Sequence, residues 1–330
     1  MALLNTTAKQ LTNAANFGYD FFIDETTQSG TLMSIRITCK NIALVILLLA
    51  SCSVTLMAGK PTLLNHQKLT PCIESIYHYN FTTADSLCSS SFSKSQVEFK
   101  VVMLNLYWWK LISGYNWEAC YNGINAIFQD AIALDEKKPT DTQLFLAVVA
   151  GIFQLRADSY MGKKTSAMRN ALRILPYYKK VLANAPMYDE FTFLAGIYNY
   201  GLGAIIAKHP LMFPAFFVFP DPNPTLGYTQ LISCEKRGNL LLQQESCYFR
   251  YKIGMEIREE PQLASTIAEQ MSNTYPSNPI LALEKIKALK KTGKSYGSES
   301  SSLSTRLAQH KELPPAQKLY FMGLIDQTKR

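Results

Sequence analysis

The chain has 330 residues, 48% of them hydrophobic and 12% aromatic, enough to bury a large core and too apolar for a disordered tail. Its 33 Lys and Arg against 25 Asp and Glu give a formal charge of +8, which favours anionic surfaces, but no nucleic-acid-binding motif accompanies the excess. The seven cysteines (Cys39, Cys52, Cys72, Cys88, Cys120, Cys234 and Cys247) form no C-x-x-C pair and no zinc-ligand spacing, so no metal and no other cofactor is expected.

Residues 1–32 show no apolar periodicity and contain turn-forming clusters such as Asp24 to Gly30, and they read as an extension ahead of a true start at Met33. Residues 33–59 have the order of an export signal. Arg36 and Lys40 precede a stretch without charge up to Lys60, and Ile42 to Ala50 is continuously apolar. Cleavage after Ala58 would place the large Leu56 three positions back, where a small residue is wanted. Leu49-Ala50-Ser51-Cys52 resembles the lipobox of bacterial lipoproteins, which implies diacylglycerol on Cys52 and a new N-terminus there. Ser53 then implies an outer-membrane lipoprotein facing the periplasm. An uncleaved anchor over Ile42 to Gly59, with an inner-membrane location and an extracytoplasmic domain, stays open.

Residues 60–330 read as one helical domain, because apolar residues recur at three and four with few alternating runs. Thr70-Pro71 predicts a helix start, and Asn80 separates that helix from one near Phe81 to Ser90. Lys94 to Ser113 follows, with Val101, Leu104, Trp108 and Leu111 on one stripe and Gly114 at its end. Asn116 caps Trp117 to Leu134. Further helices are expected at Asp141 to Met161, Ser166 to Ala183 and Tyr188 to Lys208. After a proline-rich connection come Thr225 to Lys236, Leu241 to Ile257, Pro261 to Asn273, Pro279 to Lys291 and Pro315 to Asp326. Pro176 should bend or divide its helix. The stretch near 293–304 reads as a Ser-rich linker.

Helices of this length joined by short loops form either a bundle or a stack of hairpins. Phe81-x-x-Ala84, Asn184-Ala185-Pro186, and Ala264-x-x-x-Ala268 ahead of Tyr275-Pro-Ser-Asn-Pro279 look like pieces of the tetratricopeptide pattern. The ordered series from Asp189-E-F-T-F-L-A-G through Phe219-P-D-P-N-P-T-L-G-Y and the helix Glu245 to Ile257 to Tyr275-P-S-N-P resembles bacterial proteins akin to tetratricopeptide repeat protein 39 and the fungal mitochondrial outer-membrane inclusion-clearance protein. The resemblance runs from about Cys72 to Met322. It implies an all-α, right-handed α-α superhelix that contacts other proteins instead of catalysing a reaction. The segment Pro220 to Pro224 departs from that pattern, lacking a glycine and a basic residue.

Several catalytic patterns fail on context. Gly293-Lys-Ser295-Tyr-Gly297 matches G-x-S-x-G, but that nucleophile elbow needs a strand before it. Ala288 stands where a phosphate loop requires its first glycine. Ser91-x-x-Lys94 with Lys291-Thr-Gly293 lacks the middle motif of penicillin-binding enzymes. Cys72, His78 and Cys88 make only a thin metal-site case. Most cysteines read as small buried residues, although Cys72 with Cys88 or Cys234 with Cys247 could form local bridges.

The basic run from Arg156 to Lys180 reads as a solvated face, or as a contact for acidic lipid or an acidic partner. Successive repeats should bury both Trp108 and Trp109, since a solenoid helix contacts neighbours on two sides; in the alternative one fills the space between helices while its neighbour lines the concave groove. Tyr107, Trp108 and Lys110 are the candidate groove contacts for a protein or peptide. A structural or transport accessory of an envelope complex, using the apolar loop 211–219, is the rival reading, and a cryptic hydrolase the third.

Overall fold

The structure, a computed structural model, describes residues 60–133, 139–208, 217–309 and 313–329. Two units divide the chain, Met1–Pro61 and Thr62–Arg330, and every described helix belongs to the second. The extension, the export signal, the lipobox and most of the apolar loop 211–219 lie outside the described residues. Among those described, no strand occurs and no helix is long and apolar enough to cross a membrane.

The helices follow as antiparallel hairpins: α1 (His66–Tyr77) with α2 (Phe81–Ser91), α3 (Val97–Ile112) with α4 (Trp117–Ile132), and α5 (Asp141–Tyr160) with α6 (Lys164–Ala183). Next, α7 (Asp189–Ile197) runs through a π turn (Tyr198–Leu202) into α8 (Gly203–Lys208), and packs on α9 (Pro224–Arg237). Finally α10 (Leu240–Glu256) pairs with α11 (Pro261–Thr274), and α12 (Pro279–Lys291) with α13 (Gly297–Gln309), before α14 (Pro315–Lys329).

Local chemistry explains most boundaries. The side chains of Asn80, Asn116, Asn223 and Asn278 each accept from backbone N–H groups of the first turn of α2, α4, α9 and α12, satisfying donors that have no partner within the helix. Thr140 and Gln143 form a reciprocal capping box on α5. Gly114, with φ of +73°, ends α3 in the left-handed region that a glycine adopts without strain.

Three expectations need correction. The first helix begins at His66 under an Asn65 cap, so Pro71 lies within it; burial of Leu69, Cys72, Ile73 and Ile76 holds the helix through the hydrogen bond the proline removes. α6 likewise runs unbroken through Pro176, with Tyr177, Tyr178 and Val181 buried beyond it. The Ser-rich stretch near 293–304 is mostly helix, not linker. α13 buries Ser300, Leu303 and Leu307 at helical spacing, and this packing overrides the weak helix propensity of its serines.

The helix expected over Tyr188 to Lys208 does form, but one turn of it is π. There Asn199 accepts from the Asn223 N–H and donates to Gln230, joining the turn to the start of α9. Gly227 makes this approach possible, since a Cβ there would sit 2.3 Å from the Tyr200 backbone nitrogen. Gly227→Ala should therefore cost about 1–3 kcal/mol. Gly323→Ala on α14, where a Cβ meets nothing within 4 Å, should be neutral or stabilise slightly. Urea unfolding midpoints of the two variants check this.

The inner helices form a closed series. α1 packs on α3, α3 on α5, α5 on α7, α7 on α10, and α10 returns to α1. The closure is tied at the hairpin ends. The Asn278 side chain donates to the Tyr77 carbonyl at 2.9 Å and the Ser277 hydroxyl to that of His78 at 2.8 Å. From α14, Phe321 packs on Tyr79, while Tyr320 covers Gly114 and donates to the Ile112 carbonyl. In consequence α3 and α5 are buried nearly all round, well beyond the single apolar stripe expected of α3.

Candidate functional site at the centre of the helical ring

Where the inner helices converge, a charged pair sits among aromatic rings. Glu245 of α10 accepts from the Arg156 guanidinium of α5 at 3.0 Å and, through its other oxygen, from the Tyr77 hydroxyl of α1 at 3.0 Å. The Glu245 side chain is 4% exposed and that of Arg156 13%. The guanidinium lies 4.2 Å from the Trp108 ring centre, with Phe153, Tyr248 and Phe249 at 5.0–5.2 Å, so its faces are covered by rings whose quadrupoles favour a cation. Burial, and secondarily the Glu245 carboxylate, push the Tyr77 phenol well above its usual range, so it stays a donor.

Asn105 of α3 and Phe193 of α7 join this centre along a mainly apolar cleft that also meets Val149 and Leu241. The cleft has room at its heart for no more than about one water molecule. Arg156 Nη2 and Asn105 Oδ1, on two of its lining residues, have no hydrogen-bond partner, and the Asn105 amide nitrogen is held by the Val101 carbonyl at 3.2 Å. Such a space suits a single small polar group. The arrangement ties helices together electrostatically, and the attraction persists because water is excluded.

Three further buried acids do similar work. Asp158 accepts from Tyr121, Gln154 and Asn170 at 2.7–2.9 Å, joining α4, α5 and α6. Glu190 accepts from the Leu63 N–H and faces His66 at 3.1 Å. Burial pushes the Glu284 carboxyl up, yet Lys252 and Lys287 beside it hold it below the usual range.

The residues singled out from sequence are differently placed. Trp108 does not line an open groove: it is 6% exposed and stacked on Arg156, and Trp109 is fully buried against Tyr77 and Tyr248. Tyr107 turns to the other side of α3, its ring over Gly123 of α4, and it and Lys110 are half-buried. Trp108 therefore shares no surface with Tyr107 and Lys110. Cys52, Leu49, Ala50 and Ser51 lie outside the described residues.

Cys72, Cys88, Cys120, Cys234 and Cys247 are all buried, and burial pushes Cys88 and Cys247 up to about 12, far from a reactive thiolate. Among the described residues no three His, Cys, Asp or Glu side chains gather as a metal would require. Ser295 sits in a turn between two helices, without the strand of a nucleophile elbow.

Arg156, Glu245, Tyr77 and Asn105 were not separable from their neighbours by sequence. Arg156 belongs to the basic run expected to be solvated, and only its position after the apolar stretch Leu144 to Leu155 hints that it faces inward.

Together these contacts define an all-helical protein of packed hairpins whose inner faces meet around one ion pair. Comparison with protein-family models, with curated proteins and with solved structures yields no match.

Proposed function

We propose that the chain is a non-enzymatic scaffold of the bacterial cell envelope, built from tetratricopeptide-like hairpins and tethered to the membrane by lipid on Cys52, and that it binds a partner protein on its outer surface instead of in a groove. The hairpin order and the Asn caps support the repeat reading, and the resemblance to the tetratricopeptide repeat protein 39 group supports protein contact. The observation that carries the choice of surface is that the inner face is spent on ring closure, while apolar side chains stand exposed at one end of the body. Leu319 is 74% exposed, and next to it Tyr320 bonds the hydroxyl of the half-exposed Tyr160 at 3.1 Å and covers Gly114, three residues before the exposed Trp117. Exposed apolar side chains at one end of the body offer a candidate interaction surface.

The accessory reading keeps one observation in its favour. Phe217 and Val218, at the described end of the apolar loop, are exposed, Phe217 to 77%.

Site-specific photo-crosslinking in intact cells separates these readings. A photoreactive phenylalanine analogue at Leu319 should give a discrete adduct with a partner protein. Adducts only at Phe217 select the accessory reading, and adducts only at Tyr107 restore the groove and overturn the outer-surface reading.

A further inference from the structure

The chain's positive charge is unevenly used. In α12 the lysines are engaged within the body: Lys285 pairs with Glu299, Lys287 with Glu284, and Lys290 and Lys291 donate to the carbonyls of Thr328 and Met255. α6 is different. From Lys164 to Ala183 it carries no acidic residue, and Lys164, Arg169 and Lys179 are exposed without an ion pair among the described residues, while Lys163 lies over the Tyr121 ring at 3.6 Å and Arg173 donates to Gln129 at 2.8 Å, both toward α4.

Three acids on the elements packed against α6 are engaged elsewhere. Asp158 of α5 is buried and held by three neutral donors, Asp130 of α4 pairs with Lys100, and Glu190 of α7 is buried against His66. Between the cations the same face exposes Leu172 to 48% and, in part, Met168.

We infer that the outer face of α6 docks on an anionic phospholipid surface. A row of cations interleaved with aliphatic side chains on one helix face is the chemistry that a negatively charged bilayer recognises, through Coulomb attraction to headgroups and shallow burial of the aliphatic groups. Position favours a membrane as the occupant. The Leu63 N–H bonds Glu190 at 3.2 Å, only seven residues beyond the end of α6, so the body begins beside the C-terminal end of this helix. A lipid on Cys52, eleven residues before Leu63 in the sequence, would keep the body at a bilayer, whose anionic headgroups complement a basic face. The inference rests on the tethered reading, but it adds a second contact that depends on lipid charge where the tether does not.

The test is vesicle co-sedimentation of the full chain on phosphatidylcholine alone and on phosphatidylcholine with a third phosphatidylglycerol, at 50 mM and 500 mM salt. Partitioning onto the anionic vesicles should exceed that onto neutral ones by about tenfold or more at low salt and fall at high salt. The variant Lys164→Gln, Arg169→Gln, Lys179→Gln should lose most of that increment and keep its binding to neutral vesicles. An increment unchanged in the variant overturns the inference. Salt-sensitive binding to polyglutamate with none to anionic vesicles also overturns it, assigning the face to an acidic protein. Loss of binding to neutral vesicles counts against the tether alone.

Discussion

Glu245→Ala should destabilise the protein by about 3–5 kcal/mol, because it leaves the Arg156 guanidinium enclosed by Trp108, Phe153, Tyr248 and Phe249 without its counter-charge. The loss is mostly the cost of an unpaired buried charge, not the worth of the pair. Removing the charge as well should therefore restore stability. In Arg156→Met with Glu245→Met the remaining deficit is that of the Tyr77 hydroxyl, whose acceptor has gone, about 1–3 kcal/mol. Adding Tyr77→Phe should bring the triple variant near the parent. Urea unfolding followed by circular dichroism reads all three. A triple variant as unstable as Glu245→Ala alone would show that the pair contributes net attraction well above its desolvation.

This centre also separates what could be read in the chain from what could not. Helix positions were legible because their causes are local: an asparagine before an apolar run supplies a cap, and a glycine after one supplies the left-handed exit. α13 was missed because its serines weigh against a helix one residue at a time, whereas Leu303 and Leu307 act only once α12 and α14 are beside them. Ring closure was beyond reach for the same reason on a larger scale. Tyr77 meets Glu245 across 168 positions and the Asn278 side chain across 201, and no local pattern encodes such a pairing. The burial of Trp108 against Arg156 was hidden by the same gap. Tyr107 and Lys110, three positions apart, share a face of α3, but Trp108 between them points elsewhere, and α3 has other helices on both sides.

The tryptophans give the second large effect. Trp109 has no exposed surface, stands edge-on to Tyr77 at 5.1 Å and packs on Tyr248 at 5.7 Å. Trp109→Ala should cost about 3–5 kcal/mol, the transfer free energy of the ring plus the cavity it leaves between α1, α3 and α10. Trp117→Ala, at a half-exposed site, should change stability by about 0.5 kcal/mol or less. Trp109→Phe should lie much nearer the parent than Trp109→Ala, since the indole N–H has no hydrogen-bond partner to lose. Because Trp109 holds the ring of Tyr77 and Glu245 holds its hydroxyl, Trp109→Ala and Glu245→Ala should not add: once one has loosened α1 from α10, less remains for the other to remove. A double-mutant cycle in urea measures this directly. Strict additivity would mean that the aromatic and ionic contacts fasten the ring independently, and that α1 stays docked on α10 when either is lost.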